Sequence, residues 1–308
     1  MARPARMRSI VESVGNTPLV KLRSVAREAK NVSVYLKLEY MNPGGSIKDR
    51  PALQIMRDAI EDGRLTKDKI LIDATSGNTG VAYSIFGAAL GYRVALVMPG
   101  NVSQARKDIT QAYGTELIFS DPMEQSDGAI WLCRKLVAEE PDKYFYADQY
   151  RNPSNPKAHY LGTAQEILDQ LGERVTHFVA GLGTSGTAMG VTRRLHEAPQ
   201  KITCVAMEPA EAMHALEGLK HMDSSIVPEI YDPALPDEHM TVSTDDGWDM
   251  ADRLAEEEGL HVGHSAGANV FAAVEIAKRL DHGTVVTIAC DRGDRYFAPM
   301  RWEKHYEW

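Results

Sequence analysis

Short apolar runs of strand length alternate with helical patterns along nearly the whole chain, and this alternation constrains the fold more than any other feature. Ile70-Leu71-Ile72-Asp73-Ala74 reads as a buried strand and Val81 to Ala88 as the helix after it. Arg93 to Pro99 is the next strand and leads through Asn101-Val102-Ser103 into a helix. Thr115 to Phe119 and Asp127 to Glu139 repeat the pair. The pattern breaks at Gln149 to Pro156, a polar segment with two prolines that reads as a hinge or domain crossing. It resumes with a helix at His159–Leu171, a strand at Thr176–Ala180, a helix to His196 and a strand at Ile202–Pro209. After an irregular stretch, Ala210 to about Val242, come helices at Asp246–Glu258 and Ala268–Leu280 and a last strand at Thr284–Cys290. Strands separated by helices form parallel sheets covered on both faces, so the expected fold is doubly wound α/β. At 308 residues the chain has room for two domains of ~150 residues each. Residues 1–14 read as a lead-in, and there is no internal repeat.

The totals exclude several classes of function. A net charge of -9 argues against nucleic-acid or anionic-membrane partners. No apolar run is long enough to span a bilayer, and MARPARMRSI has no apolar core of a signal peptide, so a cytoplasmic location is expected. Cys133, Cys204 and Cys290 have neither zinc spacing nor a plausible disulfide framework. Reduced thiols and no metal are expected.

Four turns carry the chemistry. In Asn42-Pro43-Gly44-Gly45-Ser46-Ile47-Lys48-Asp49-Arg50 a strand, Val32 to Glu39, runs through a tight turn to a lysine at the start of a helix. The positive end of a helix dipole lowers a lysine's pKa, and such amines form Schiff bases with carbonyl compounds. A solvated lysine beside a turn is the ordinary alternative. Gly181-Leu182-Gly183-Thr184-Ser185-Gly186 fits a dinucleotide fingerprint, with Glu208 22 residues after Gly186. It fits equally a cradle for one phosphate monoester, with hydroxyls from Thr184, Ser185 and Thr187. Thr75-Ser76-Gly77-Asn78-Thr79-Gly80 holds more donors than a helix cap needs, which favours a bound carboxylate. Gly263 to Gly267 reads alone as a helix cap with Ser265 as the capping residue.

Together these motifs resemble the cysteine synthase and cystathionine β-synthase family, which includes the O-acetylserine sulfhydrylases. The likeness runs from Gly15-Asn16-Thr17-Pro18-Leu19 to Asp294-Arg295-Tyr296, with five motifs in the family's order. Cys290 to Tyr296 and Gly183 to Thr187 look most like the bacterial B-type enzyme, although commoner forms have a Gly where Ser185 stands. The resemblance implies a fold type II pyridoxal-phosphate enzyme, similar to the tryptophan synthase β subunit. Residues 1–45 with 156–308 would form a larger cofactor domain. Residues 46–155 would form a smaller mobile domain carrying the substrate-carboxylate loop.

By resemblance, Lys48 would bind pyridoxal 5'-phosphate covalently and act as catalytic base. Asn78 would face the ring's phenolic oxygen and Ser265 its nitrogen, while Gly183, Thr184, Ser185, Gly186 and Thr187 would hold the phosphate. Thr75, Ser76, Asn78, Thr79 and Gln149 would take the substrate carboxylate. The implied reaction forms L-cysteine from O-acetylserine or O-phosphoserine and sulfide or thiosulfate, through an aminoacrylate. Homocysteine and amine nucleophiles share every motif. The end soon after Tyr296 leaves no room for the regulatory modules of many cystathionine β-synthases, which ranks sulfide above homocysteine. Lys220 and His221 would favour an anionic donor or nucleophile if they face the site. Cys290 would lie near the ring, as a buried free thiol. His159, His177 and His264 are expected to be structural, and a homodimer is implied. A NAD-dependent oxidoreductase and a non-catalytic family member are the competing readings.

Overall fold

The computed structural model describes residues 6–296, apart from the side chains of Gln125 and Ser126. Residues 1–5 of the expected lead-in and 297–308 of the expected larger domain lie outside the described residues. In chain order the elements begin with β1 (Leu19–Lys21), β2 (Val32–Leu38), α1 (Asp49–Glu61), β3 (Ile70–Ala74), α2 (Asn78–Leu90) and β4 (Arg93–Pro99). They continue with α3 (Gln104–Gln111), β5 (Glu116–Ser120), α4 (Gln125–Glu139), β6 (Tyr144–Tyr146), α5 (Ser154–Ala158) and α6 (Gln165–Leu171). The last are β7 (His177–Gly181), α7 (Gly186–His196), β8 (Thr203–Pro209), β9 (Glu238–Val242), α8 (Thr244–Glu258), α9 (His264–Lys278) and β10 (Gly283–Ala289).

The strands form two sheets, one of six strands in the order β1-β2-β10-β7-β8-β9 and one of four in the order β5-β4-β3-β6. Every pairing is parallel except β1 with β2. Alternate side chains of a strand enter opposite layers. Val285 and Ala289 pack with Val34, Val205 and the apolar α9. Val286 and Ile288 pack on the other face with Phe178, Met189 and Leu195. Leu71 and Ile72 are divided in the same way across the smaller sheet. Burial on both faces is what makes these strands read as continuous apolar runs.

Four local features differ from the sequence expectation. The stretch read as irregular ends in β9, an edge strand of Glu, His, Met, Thr and Val whose outer residues are exposed. Its polar residues hide the strand period, and only its register against β8 reveals it. The three-residue β6 is too short to show any period. Part of the expected crossing is helical, since Ser154–Ala158 forms α5 and a π-helical turn at His159–Ala164 continues it. Helix α9 starts at His264, so Ser265 lies inside its first turn and is not the cap.

A buried charge network fixes the lysine turn. The Arg50 guanidinium meets Glu39 at 2.6 and 2.8 Å and Glu166 at 2.7 and 2.7 Å. Lys37 reaches Glu166 at 2.8 Å. Glu39 also accepts from the Thr17 hydroxyl at 2.6 Å and the Asn42 amide at 2.9 Å, and Asn42 Oδ1 accepts the Gly15 N–H at 2.8 Å. The Gly15-Asn16-Thr17 segment and the Asn42 turn are thus joined through one carboxylate.

Candidate active site

Lys48 is the N-cap of α1, one position before the helix proper. The turn ahead of it closes through the Gly45 N–H to Asn42 O at 2.9 Å, with Gly45 at φ +76°. Glycine takes that conformation without steric cost. Burial lowers the Lys48 pKa, and the facing Cys290 and Asp291 oppose it in part. Desolvation therefore outweighs the two facing groups.

Lys48 opens on a cavity at the carboxyl ends of the larger sheet, where Ala180, Gly181 and Ile288 also line it. Asn78, Gly183, Thr184, Ser185, Thr187 and Ser265 line it with Lys48. Of the residues read as cofactor ligands only Gly186 stands behind this lining, at the first position of α7. Ser265 is buried in the first turn of α9 and hydrogen-bonds the Cys290 thiol, whose pKa burial pushes up to about 12. That thiol stays protonated at neutral pH.

The Gly181 loop has the features of a phosphate cradle. Ser185 is the N-cap of α7, yet its side chain makes no capping bond, and its φ is +69°. Its hydroxyl is buried with no hydrogen-bond partner, a costly state unless a ligand supplies one. A Cβ at Gly183 would strike the Gly218 carbonyl, and one at Gly186 would overlap the Asn155 amide. Thr187 contacts the buried His159 at 3.3 Å, so that histidine supports the loop. The rival dinucleotide reading needs Glu208 in the cavity. Its carboxylate instead accepts the Met222 N–H at 2.7 Å.

Replacing Ser185 by glycine should stabilise the cofactor-free protein by about 1 kcal/mol. It relieves a left-handed side chain and an unpaired hydroxyl, against the entropy cost of glycine. The gain should shrink when phosphate gives the hydroxyl a partner. Urea midpoints with and without pyridoxal phosphate measure both, and a less stable cofactor-free variant contradicts the argument.

The Thr75–Gly80 loop is assembled differently from a cap. Gly77, with no side-chain bond, is the N-cap of α2, and Thr75 Oγ1 accepts the Gly77 N–H at 3.3 Å. The Thr79 hydroxyl donates to Gln149 Oε1 at 2.8 Å, which brings together two residues far apart in sequence. Thr75, Ser76, Thr79 and Gln149 do not line the cavity itself. Asn155, which the sequence reading left in the crossing, donates to Gln149 O at 2.7 Å and Thr184 Oγ1 at 3.1 Å. It links Gln149 to the Gly181 loop, and no spacing signal marks it.

An amine of lowered basicity, an unpaired hydroxyl at a helix N-terminus and a buried serine across the cavity suit an aldehyde, a phosphate and a ring nitrogen. The sequence matches the pyridoxal-phosphate dependent enzyme family over residues 10–291. The chain belongs to that family. The cysteine synthase of Aquifex aeolicus (strain VF5) is 46% identical over 294 residues, 94% of this chain and 90% of that protein. Cysteine synthase B of Pseudomonas aeruginosa is 41% identical over 290 residues, 94% of this chain and 96% of that one. The crystal structure of a cysteine synthase from Entamoeba histolytica superimposes with a TM-score of 0.92 at 36% identity, covering 100% of this chain and 94% of that chain. Pyridoxal 5'-phosphate is therefore the cofactor, and the doubly wound pair of sheets is the family's fold.

Lys220 and His221, read as favouring an anionic donor or nucleophile only if they face the site, have partners of their own. Lys220 Nζ lies over the Tyr150 ring, 5.3 Å from its centre, and His221 pairs with Ser224 at 2.9 Å. Neither lines the cavity, whereas Glu217 from the same loop does. No helix among the described residues is long and apolar enough to cross a membrane. His196, Cys204 and Asp237 bring ligand-type atoms within 4.8 Å of one another. A His196–Asp237 contact of 2.9 Å already accounts for two of the three.

Proposed function

We propose that the protein forms L-cysteine from O-acetylserine and sulfide. The observation that carries this reading is the convergence of Lys48, Ser265 and the Thr184–Thr187 loop on one cavity. Bound pyridoxal phosphate supplies an electron-withdrawing ring that acidifies the α-proton of an amino acid and lets its β-substituent leave. Lys48, desolvated and so less basic than a free lysine, takes that proton, a general-base contribution of ~10²–10⁴-fold. Thr75, Ser76, Asn78, Thr79 and Gln149 hold the carboxylate at the N-terminus of α2, which orients the α-carbon. Ser265 offers the ring nitrogen a neutral hydroxyl and leaves that nitrogen largely unprotonated.

The donor follows from local charge. Glu217 stands at the cavity rim, paired with Arg106 of α3 at 2.5 Å, while Lys220 is turned to Tyr150. Apart from Lys48, no cationic side chain among the described residues lines the cavity to receive a phosphate ester, which favours a neutral acetyl ester. Residues 1–45 and 156–308 act as the cofactor-binding domain, and residues 46–155 move against it to close the cleft. The separation of the two sheets supports that division. The enzyme works as a homodimer in the cytoplasm, a setting that suits its three free cysteines.

The test is a visible-spectrum titration of the yellow holoenzyme with O-acetylserine, O-phosphoserine and serine in turn. O-acetylserine should change the band, and sulfide should restore it with release of cysteine. A change with O-phosphoserine or serine but not with O-acetylserine overturns the donor. A protein that stays colourless with added cofactor overturns the whole reading.

A further inference from the structure

We propose that Asp291 and Arg295 are positioning residues that clamp the loops of the site together by fixing Asn78. The inference rests on the cofactor reading above, which assigns Asn78 a place at the ring but gives these two residues none. Asn78 is the first residue of α2, attached to the four-stranded sheet. Its Nδ2 donates to Asp291 Oδ2 at 2.6 Å, and its Oδ1 accepts from the Arg295 guanidinium. An amide side chain has one donor end and one acceptor end. With an anion at the first and a cation at the second, only one of its two flipped orientations is stable.

The same short segment grips the other loops. Arg295 also donates to the Gly44 carbonyl in the lysine turn, and the Cys290 carbonyl accepts the Ile47 N–H at 2.8 Å. The Asp291 carbonyl accepts the Gly263 N–H at the start of α9 at 3.1 Å, and its carboxylate accepts from the Tyr296 hydroxyl. Asp291 is 1% exposed, and its Oδ1 is buried without a hydrogen bond. The packing is close on both sides. A Cβ at Gly45 would overlap the Arg295 guanidinium, and one at Gly263 would overlap the Asp291 carboxylate. Since the two sheets share no strand, this clamp holds Asn78 of one against the lysine turn and α9 of the other.

The test compares holoenzyme variants Arg295→Gln and Asp291→Asn with Asp294→Asn, which alters only an exposed pair with Arg292. Both clamp variants should shift the cofactor's visible band without substrate and speed amide hydrogen exchange over residues 76–80 by roughly tenfold. They should lower kcat by about 10–100-fold, the scale expected for misplaced groups, with a smaller change in KM. Asp294→Asn should do none of this. In an Asn78→Ala background, Asp291→Asn should add less than about twofold, because coupled residues are not additive. Should either variant misfold, Arg295→Lys, which keeps the charge but reaches only one of its two acceptors, should give an intermediate band shift and exchange rate. An unchanged band and unchanged exchange in folded variants, or full additivity with Asn78→Ala, overturns the clamp. Loss of colour in the parent protein overturns the cofactor reading instead, and the exchange measurement still tests the clamp.

Discussion

Lys48→Ala should leave a folded protein that no longer makes cysteine, with turnover reduced by at least ~10²–10⁴-fold, the usual contribution of a positioned base. Lys48 is the only lysine among the residues lining the cavity. Lys37 is committed to Glu166 and Lys220 to the Tyr150 ring, so no neighbouring amine can substitute. Removing a desolvated amine from the start of α1 costs the fold little, because that amine caps no helix. Borohydride reduction of the parent holoenzyme should place a cofactor-modified lysine at position 48 by peptide mass, and the variant should yield none. Measurable cysteine formation by the variant within tenfold of the parent rejects the assignment.

Arg50→Met should destabilise the protein by about 3–5 kcal/mol, the typical cost of removing one partner from a buried ion pair. Glu39 is 0% exposed, and without the guanidinium its carboxylate keeps only neutral donors and the more distant Lys37. The loss has a functional side, since Glu39 also holds Asn42 at the base of the lysine turn. Replacing Glu39 by Leu as well should recover part of the deficit, because an apolar pair avoids the stranded charge. Equilibrium urea denaturation measures both, and a loss under about 1 kcal/mol for the single variant refutes the network's role. The network also sets acid sensitivity. Burial raises the Glu166 pKa, but Arg50 and Lys37 outweigh it and hold it at about 2, below the ordinary 4.5. A depressed carboxylate gives stability that is complete above pH 4.5 and is lost as pH falls toward 2. Arg50→Met should shrink that acid transition.

The alternation of strands and helices was legible because parallel strands buried on both faces must be apolar throughout. The edges were not legible. The polar residues of β9 and the brevity of β6 carry no period, and only pairing with a neighbour defines them. The Thr75 and Gly181 loops were legible as anion sites and the Gly263 loop only as a helix cap, but the geometry of all three differs from capping. Gly77, Ser185 and Gly263 are the N-caps, and none makes a side-chain cap bond. The Ser185 hydroxyl is left without a partner, whereas Thr75, Thr79 and Ser265 bond to groups other than a cap. The Arg50 network could not be read at all, because Lys37, Glu39, Arg50 and Glu166 are scattered in sequence and charged residues ordinarily imply surface. Asp291 and Arg295 stood in a motif recognised only by likeness. Their contacts with Asn78 are set by the return of β10, the last strand among the described residues, to the sheet of β2.

That return has a consequence for synthesis. Strand β10 lies between β2 and β7, so β2 emerges from the ribosome long before its inner neighbour exists. At 5–20 residues per second, the roughly 250 residues between them take ~12–50 s to appear. Throughout that time one edge of β2 has no partner from its own chain, and the segment that grips the lysine turn has not been made. A nascent chain halted before Gly283 should bind trigger-type holding chaperones and fail to acquire colour, however much cofactor is supplied. Competence for catalysis would arrive abruptly, once β10 and the segment after it have emerged.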